Sequence, residues 1–292
     1  MRPRLRRALP KLVATAALAA GLGAVLIATR PRADDDAHSA HGHHVGELRA
    51  EGIRLQQRGD LPAAMAKYRE AIRLAEDNRL EPALVANRIA IATVHLTEER
   101  YEEAVKELQQ ALRGAREIGN RIEAATALAY LGQARRLQGR PDEALAALRE
   151  SLELTGNTPS RARVLANFQV GEVHRARGDH AAALAAYRET HAVLREMDDA
   201  PGQAAILISI GRTQAALGNA PEAARALAEA RDLLRRLGHT QRAAEVEGEM
   251  AALDARRLTQ EAPRQNLEQE GDERLASSVQ RPAVARNDAT HE

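Results

Sequence analysis

Residues 128–151 read LAYLGQARRLQGRPDEALAALRES, and this stretch decides the fold. Gly132 and Gly139 bracket a short polar run. A small residue, a bulky one four later and another small one three later follow them: Ala144, Leu148 and Ser151. The arrangement recurs every 39 or 40 residues. Gly52 and Gly59 precede Ala64, Tyr68 and Ala71; Gly171 and Gly178 precede Ala183, Tyr187 and Thr190; Gly211 and Gly218 precede Ala223, Leu227 and Ala230. A fifth copy fills the remaining gap, with Ala92 and Glu99 in the glycine positions ahead of Ala104, Leu108 and Ala111. Self-similarity at a fixed period is the signature of a repeat array.

Each copy reads as two helices. Leu48, Gly52 and Leu55 fall at helical spacing, Gly59-Asp60 interrupts, and Ala64, Tyr68, Ala71 and Leu74 share one face of a second helix. Gly or Ala at the first position predicts that the second helix approaches closely there. Glycine at 59, 139, 178 and 218 suits the left-handed residue that ends a helix. Pro62, Pro141 and Pro221 sit in the first turn of the second helix, where a missing N–H costs little. Such a unit covers its apolar face only when another stacks on it, so the reading is an all-α solenoid of five helix-turn-helix repeats. The expected repeats are residues 46–80, 81–120, 121–159, 160–199 and 200–238. Ala243, Val246, Met250 and Leu253 then predict a solubilising cap helix over 240–258. Residues 259–292, rich in Gln, Glu, Arg and Pro, read as a disordered tail.

These residues resemble the tetratricopeptide repeat family. Leu131-Gly132, Val170-Gly171, Ile210-Gly211 and Ile91-Ala92 match its first helix, and the small-bulky-small motifs match its second. Glu51 departs from the apolar residue expected there, as do His95, Arg135, His174 and Gln214 from a bulky position. The usual period is about 34 residues; the longer spacing here resembles the class found in kinesin light chains and several bacterial regulators. The resemblance implies a concave groove lined by the first helix of each repeat, receiving a protein or peptide partner. Carried over, the lining is Arg49, Ile53, Gln56 and Gln57; Ile89, Thr93 and Leu96; Thr126, Ala129, Tyr130, Gln133 and Arg136; Leu165, Phe168, Glu172 and Arg175; Ile208, Arg212 and Ala215. Phe168 and Tyr130 are the expected aromatic anchors, and Arg136, Arg175 and Arg212 are expected to offer donors to carboxylates. The family's clamp for chaperone C-termini is absent: Arg49 fits its first position, but Ile53, Ala90, Thr126 and Tyr130 occupy the others.

Arg2, Arg4, Arg6, Arg7 and Lys11 precede an uncharged apolar run from Leu12 to Ala28, and Arg30 and Arg32 close it. A basic start before an apolar run is an export signal. As a helix the run spans roughly 25 Å, within the range of a membrane anchor. The charge bias places the N-terminus inside and the repeats outside the cytoplasm. The expectation over residues 1–33 is an apolar helix serving as an uncleaved anchor, with a cleaved signal and a mature start near Asp34 as the alternative. Residues 34–45 read as a tether. Its His38, His41, His43 and His44 offer a transition-metal site as an alternative to a solvated linker.

Composition bounds the chemistry. The chain has no cysteine, which removes disulfides, thiolate metal sites and thiol nucleophiles. Formal net charge is +1, so no global field draws it to nucleic acid. Lysine is confined to Lys11, Lys67 and Lys106 against many arginines, a skew that points to a GC-rich bacterial genome. No phosphate loop, His-Glu-x-x-His or nucleophile elbow occurs, and no cofactor is expected. The reading is a non-enzymatic, envelope-tethered or exported scaffold. The alternatives are a self-associating organiser of an envelope complex and a metal-binding protein acting through the histidines.

Overall fold

The computed structural model describes residues 36–255 and residue 259. Among them the chain is helical throughout apart from short turns. The helices are α1 (Asp36–Gln57), α2 (Leu61–Asp77), α3 (Glu81–Thr97), α4 (Tyr101–Glu117), α5 (Arg121–Leu137), α6 (Pro141–Thr155), α7 (Arg161–Ala176), α8 (His180–Glu196), α9 (Ala200–Ala216) and α10 (Ala220–Arg236). A further helix, α11, covers residues 240–255. Odd-numbered helices are the first of each pair (A) and even-numbered ones the second (B). The result is an all-α solenoid.

The small-bulky-small motif builds the core. Tyr68, Leu108, Leu148, Tyr187 and Leu227 are all buried, as are the small residues on either side of them. Each bulky side chain fills the notch left by the small residue on the preceding A helix. A Cβ built on Gly132 would stand 2.5 Å from Leu148 Cγ, and one on Gly171 would stand 2.4 Å from Tyr187 Cε1. The close approach expected at this position is therefore between a helix backbone and one side chain of its partner.

Nine of the ten interhelix turns close in the same way. In the first, Gly59 N–H donates to the Gln56 carbonyl and Asp60 N–H to the Leu55 carbonyl, both at 3.0 Å. This is the Schellman closure, which satisfies otherwise orphaned carbonyls and requires one left-handed residue. Gly59, Gly139, Gly178 and Gly218 supply it within repeats. Between repeats it falls on Arg79, Gly119, Asp198 and Gly238. Asp60, Asn120, Asp179 and Asp199 then cap the next helix with side-chain oxygens. Glu99 occupies the same conformation at φ 60° without glycine's freedom. Because a left-handed residue bearing a Cβ costs about 1 kcal/mol, Glu99→Gly is expected to stabilise the protein by about 0.5–1 kcal/mol. Urea denaturation followed by circular dichroism checks this; an unchanged or lower midpoint would overturn it.

The tenth connection, over residues 156–160, is longer. Gly156 adopts φ 55° and ψ −135°, and Ser160 starts α7 from extended backbone while accepting from Arg163 N–H at 3.3 Å. At this junction α7 packs directly on α5 as well as on α6. Over the first four repeats consecutive A helices touch, whereas consecutive B helices do not make contacts of comparable extent. Elements on the inside of a curve are crowded and those outside splay, so the A helices form the concave wall. Long side chains bridge the splayed side: Arg88 reaches Glu76 at 3.3 Å and Glu107 at 3.1 Å, and Arg177 reaches Asp142 at 2.6 Å. The exposed Arg177–Asp142 pair contributes about 1 kcal/mol or less.

Three expectations concern the ends of the chain. The segment 34–45, expected as a tether, is helical from Asp36 onward, and at its end Val45 packs with Leu48, Ala71 and Ala75. The apolar segment 12–28 and the tail beyond residue 259 lie outside the described residues. No helix among the described residues is long and apolar enough to cross a membrane. At the other end Ala243 and Val246 of α11 join the core, while Ala244, Glu245, Ala251 and Ala252 are exposed.

Candidate binding groove

The concave wall is built from side chains spaced along each A helix on the face turned away from its B partner. Many are far less open than their register suggests. Ile89, Leu96, Ala129, Leu165 and Ile208 are buried. Thr93, Thr126, Tyr130, Arg136 and Ala215 remain half-buried, and Arg175 and Arg212 are exposed.

Polar side chains tie one repeat to the next along this wall. In the first, Gln56 accepts from Tyr68 Oη at 2.9 Å and donates to Thr93 Oγ1 at 3.1 Å. Arg136 Nε donates to Gln169 Oε1 at 3.1 Å, linking α5 to α7. Arg212 Nε donates to Glu249 Oε2 at 2.9 Å, and its Nη2 donates to the other oxygen of that carboxylate on α11. The carboxylate raises the already high pKa of Arg212.

The densest cluster surrounds Glu172, which is 6% exposed. Its Oε1 accepts from Tyr187 Oη at 2.6 Å and from Arg175 Nε at 3.1 Å, and its Oε2 accepts from Arg175 Nη2 at 2.6 Å. Burial alone would raise its pKa, but the Arg175 fork, the phenol and nearby Arg136 together hold it below the usual carboxylate range. The same burial and the facing carboxylate push the Tyr187 phenol up, so it stays a donor. Burial lowers the Arg136 pKa, with Glu172 opposing that shift and Arg175 adding to it. Tyr130 is likewise pushed up by burial, with Arg161 and Arg49 opposing.

Of the residues expected in the groove, Gln56, Arg136, Arg175 and Arg212 make the bridges just described. Gln133 and Arg49 stand on the same wall, each with a buried polar atom lacking a protein partner: Gln133 Oε1 and Arg49 Nε. Phe168 is the clear departure. It is only 4% exposed, with its ring 6.0 Å from that of Tyr187 and tilted 34°. It belongs to the core and offers a partner no accessible face, which overturns its role as an aromatic anchor. Arg175 is near enough to influence both Arg136 and Arg212, but Arg175 and Arg212 each already hold a carboxylate of this chain.

Gln169 and Glu249 were absent from the expected lining. Gln169 shares the register of Tyr130, one repeat on, so the period alone would have placed it. His41, His43 and His44 ride exposed on α1, where His43 and His44 both approach Glu47, at 3.4 and 3.5 Å. The side chain of His38 lies outside the described residues. Among those described, no group of three or more histidines and acids converges on a point able to hold a metal ion.

The tetratricopeptide repeat model matches residues 83–155 and 161–236, just over half of the chain. The chain belongs to the tetratricopeptide repeat family. The two matched spans meet at the irregular connection over 156–160. No curated protein matches the sequence. Among solved structures, BtubC (BKLC) from P. vanneervenii is similar at 18% identity and a TM-score of 0.57, covering 81% of this chain and 93% of that one. A signal transduction ATPase with a tetratricopeptide repeat sensor from Pyrococcus horikoshii gives 16% identity and a TM-score of 0.58, covering 70% of this chain and 32% of that one. A putative kinesin light chain of Podosopora anserina, with nearly identical TPR-like repeats, gives 18% identity and 0.52, covering 68% and 98%. At these identities the likeness is one of fold. A tetratricopeptide fold points to a protein-protein interaction scaffold.

Proposed function

We propose that this chain is a non-enzymatic scaffold that holds a segment of a partner protein against the A-helix wall, tethered to the cell envelope by residues 12–28. The observation that carries the reading is the wall itself. Five tetratricopeptide repeats bring half-buried and exposed polar side chains from α1 to α9 onto one concave surface, and stacked repeats form extended surfaces suited to a chain-like ligand. The period of 39 or 40 residues supports assignment to the longer-repeat class. The basic start and the apolar run support a bacterial membrane anchor with the repeats outside the cytoplasm.

Photo-crosslinking in intact cells tests the reading. A crosslinking amino acid at Thr126 or Ala215, on the wall, is expected to give a discrete heterologous adduct. The same group at Arg113 or Arg188, exposed on B helices, is expected to give none. No adduct from the wall, or equal adducts from both faces, would overturn the groove as the capture surface. An adduct of twice the chain mass would instead favour the self-associating organiser. A mature protein starting near Asp34 would replace the anchor by a cleaved signal.

A further inference from the structure

We propose that Arg136 is the anchor for a carboxylate of the captured segment, so that the partner is acidic where it crosses the third repeat. This rests on the groove reading above and specifies the chemistry of its ligand. Arg136, Arg175 and Arg212 are not equivalent. Arg175 closes both limbs of its fork on Glu172, and Arg212 closes its fork on Glu249. Arg136 has no carboxylate of its own. Its Nε is used by the neutral Gln169, while its Nη2 is buried and has no acceptor in the protein.

A guanidinium carries five N–H donors in a planar fork matched to a carboxylate. A buried donor left without an acceptor is costly, and a buried charge more so. Glu172 is the acid nearest in effect, but its oxygens already accept from Tyr187 and from both limbs of Arg175. With Glu172 and Arg175 cancelling, the cluster keeps one net positive charge, on Arg136.

Its surroundings suit an acidic peptide. Tyr130, Gln133 and Arg136 lie at intervals of three along α5, a stripe of roughly 9 Å. Gln133 is itself buried, so the acid side chain meets the half-buried Arg136 alone. A basic segment would set like charge against Arg136 and Arg175, and a neutral one would leave the guanidinium unpaired.

The test uses the full chain and two fluorescein-labelled alanine-glycine nonapeptides, amidated at the C-terminus, that differ only in a central Glu or Gln. Fluorescence anisotropy is expected to show the Glu peptide binding at least tenfold tighter. Arg136→Gln is expected to bring the two within twofold, with helicity unchanged by circular dichroism. Arg188→Gln, exposed on the B helix α8 away from the wall, is expected to keep the tenfold preference. Equal affinity for both peptides, binding of neither, or a preference that survives Arg136→Gln would overturn the anchor. If wall-specific crosslinks still form in that case, the scaffold reading stands without it; if no wall adduct forms, the scaffold reading itself fails.

Discussion

Gly132→Leu is expected to destabilise the solenoid by about 4 kcal/mol, the loss centred on the third repeat. A Cβ at this position would stand 2.5 Å from Leu148 Cγ, 2.6 Å from its Cδ2 and 3.1 Å from the Ala144 carbonyl oxygen. Leu148 is fully buried and cannot swing into solvent. The α5–α6 pair must therefore separate, exposing the faces that neighbouring repeats stack upon. The second repeat sets the scale for smaller changes, since Ala92 occupies the notch against Leu108 with both fully buried. Gly132→Ala should accordingly cost about 1 kcal/mol or less, because the better helix propensity of alanine offsets part of the crowding. Thermal and urea unfolding of the two variants measure the difference. A Leu variant as stable as the Ala variant would mean that the notch does not set the helix approach.

Arg175→Ala is expected to cost about 2–3 kcal/mol at neutral pH, below the range for fully buried pairs because Arg175 is itself half in water. The variant strands a buried carboxylate with only the Tyr187 hydroxyl donating to it. Its pH dependence is diagnostic. In the native protein the pKa of Glu172 is held below its ordinary value, so its contribution is present at neutral pH and is lost as the pH falls through the folded pKa. In Arg175→Ala burial dominates and raises that pKa above the unfolded value. Acidification toward the unfolded pKa then neutralises the stranded group, and the gap between variant and parent narrows. Adding Glu172→Gln removes the charge and should restore most of the loss at pH 7. Urea midpoints from pH 4 to 7 for the two variants decide it; a gap independent of pH would mean that Arg175 acts through packing alone.

The periodic features were legible because local chemistry and fold demand the same residue. Gly139 is both the cheapest left-handed residue and the marker of a turn. Where the fold imposes a conformation on an unsuited residue, as at Arg79 and Glu99, no local signal exists. The start of α1 was missed for a related reason. Its first turns are polar, and the packing of Val45 with residues of α2 is a tertiary contact that local sequence does not carry. Phe168 shows the limit at the groove. Register fixes the angular position of a side chain, but a ring at that angle can lie sideways onto a neighbouring helix, and Tyr187 was there to receive it. The Glu172–Arg175 pair was visible as a spacing of three on one helix. Its closure, which leaves Arg136 as the free cation of the three, depends on burial that spacing does not carry.

The pattern of contacts also has a consequence in time. Among the described residues, extensive packing joins only helices one or two places apart in the chain, so no pairing between them waits for distant segments to meet. Loop-closure entropy is therefore small at every step, and folding can nucleate in any repeat and spread outward. A chain delivered N-terminus first can complete α1 and α2 before α10 has been released, each finished repeat serving as the template on which the next condenses.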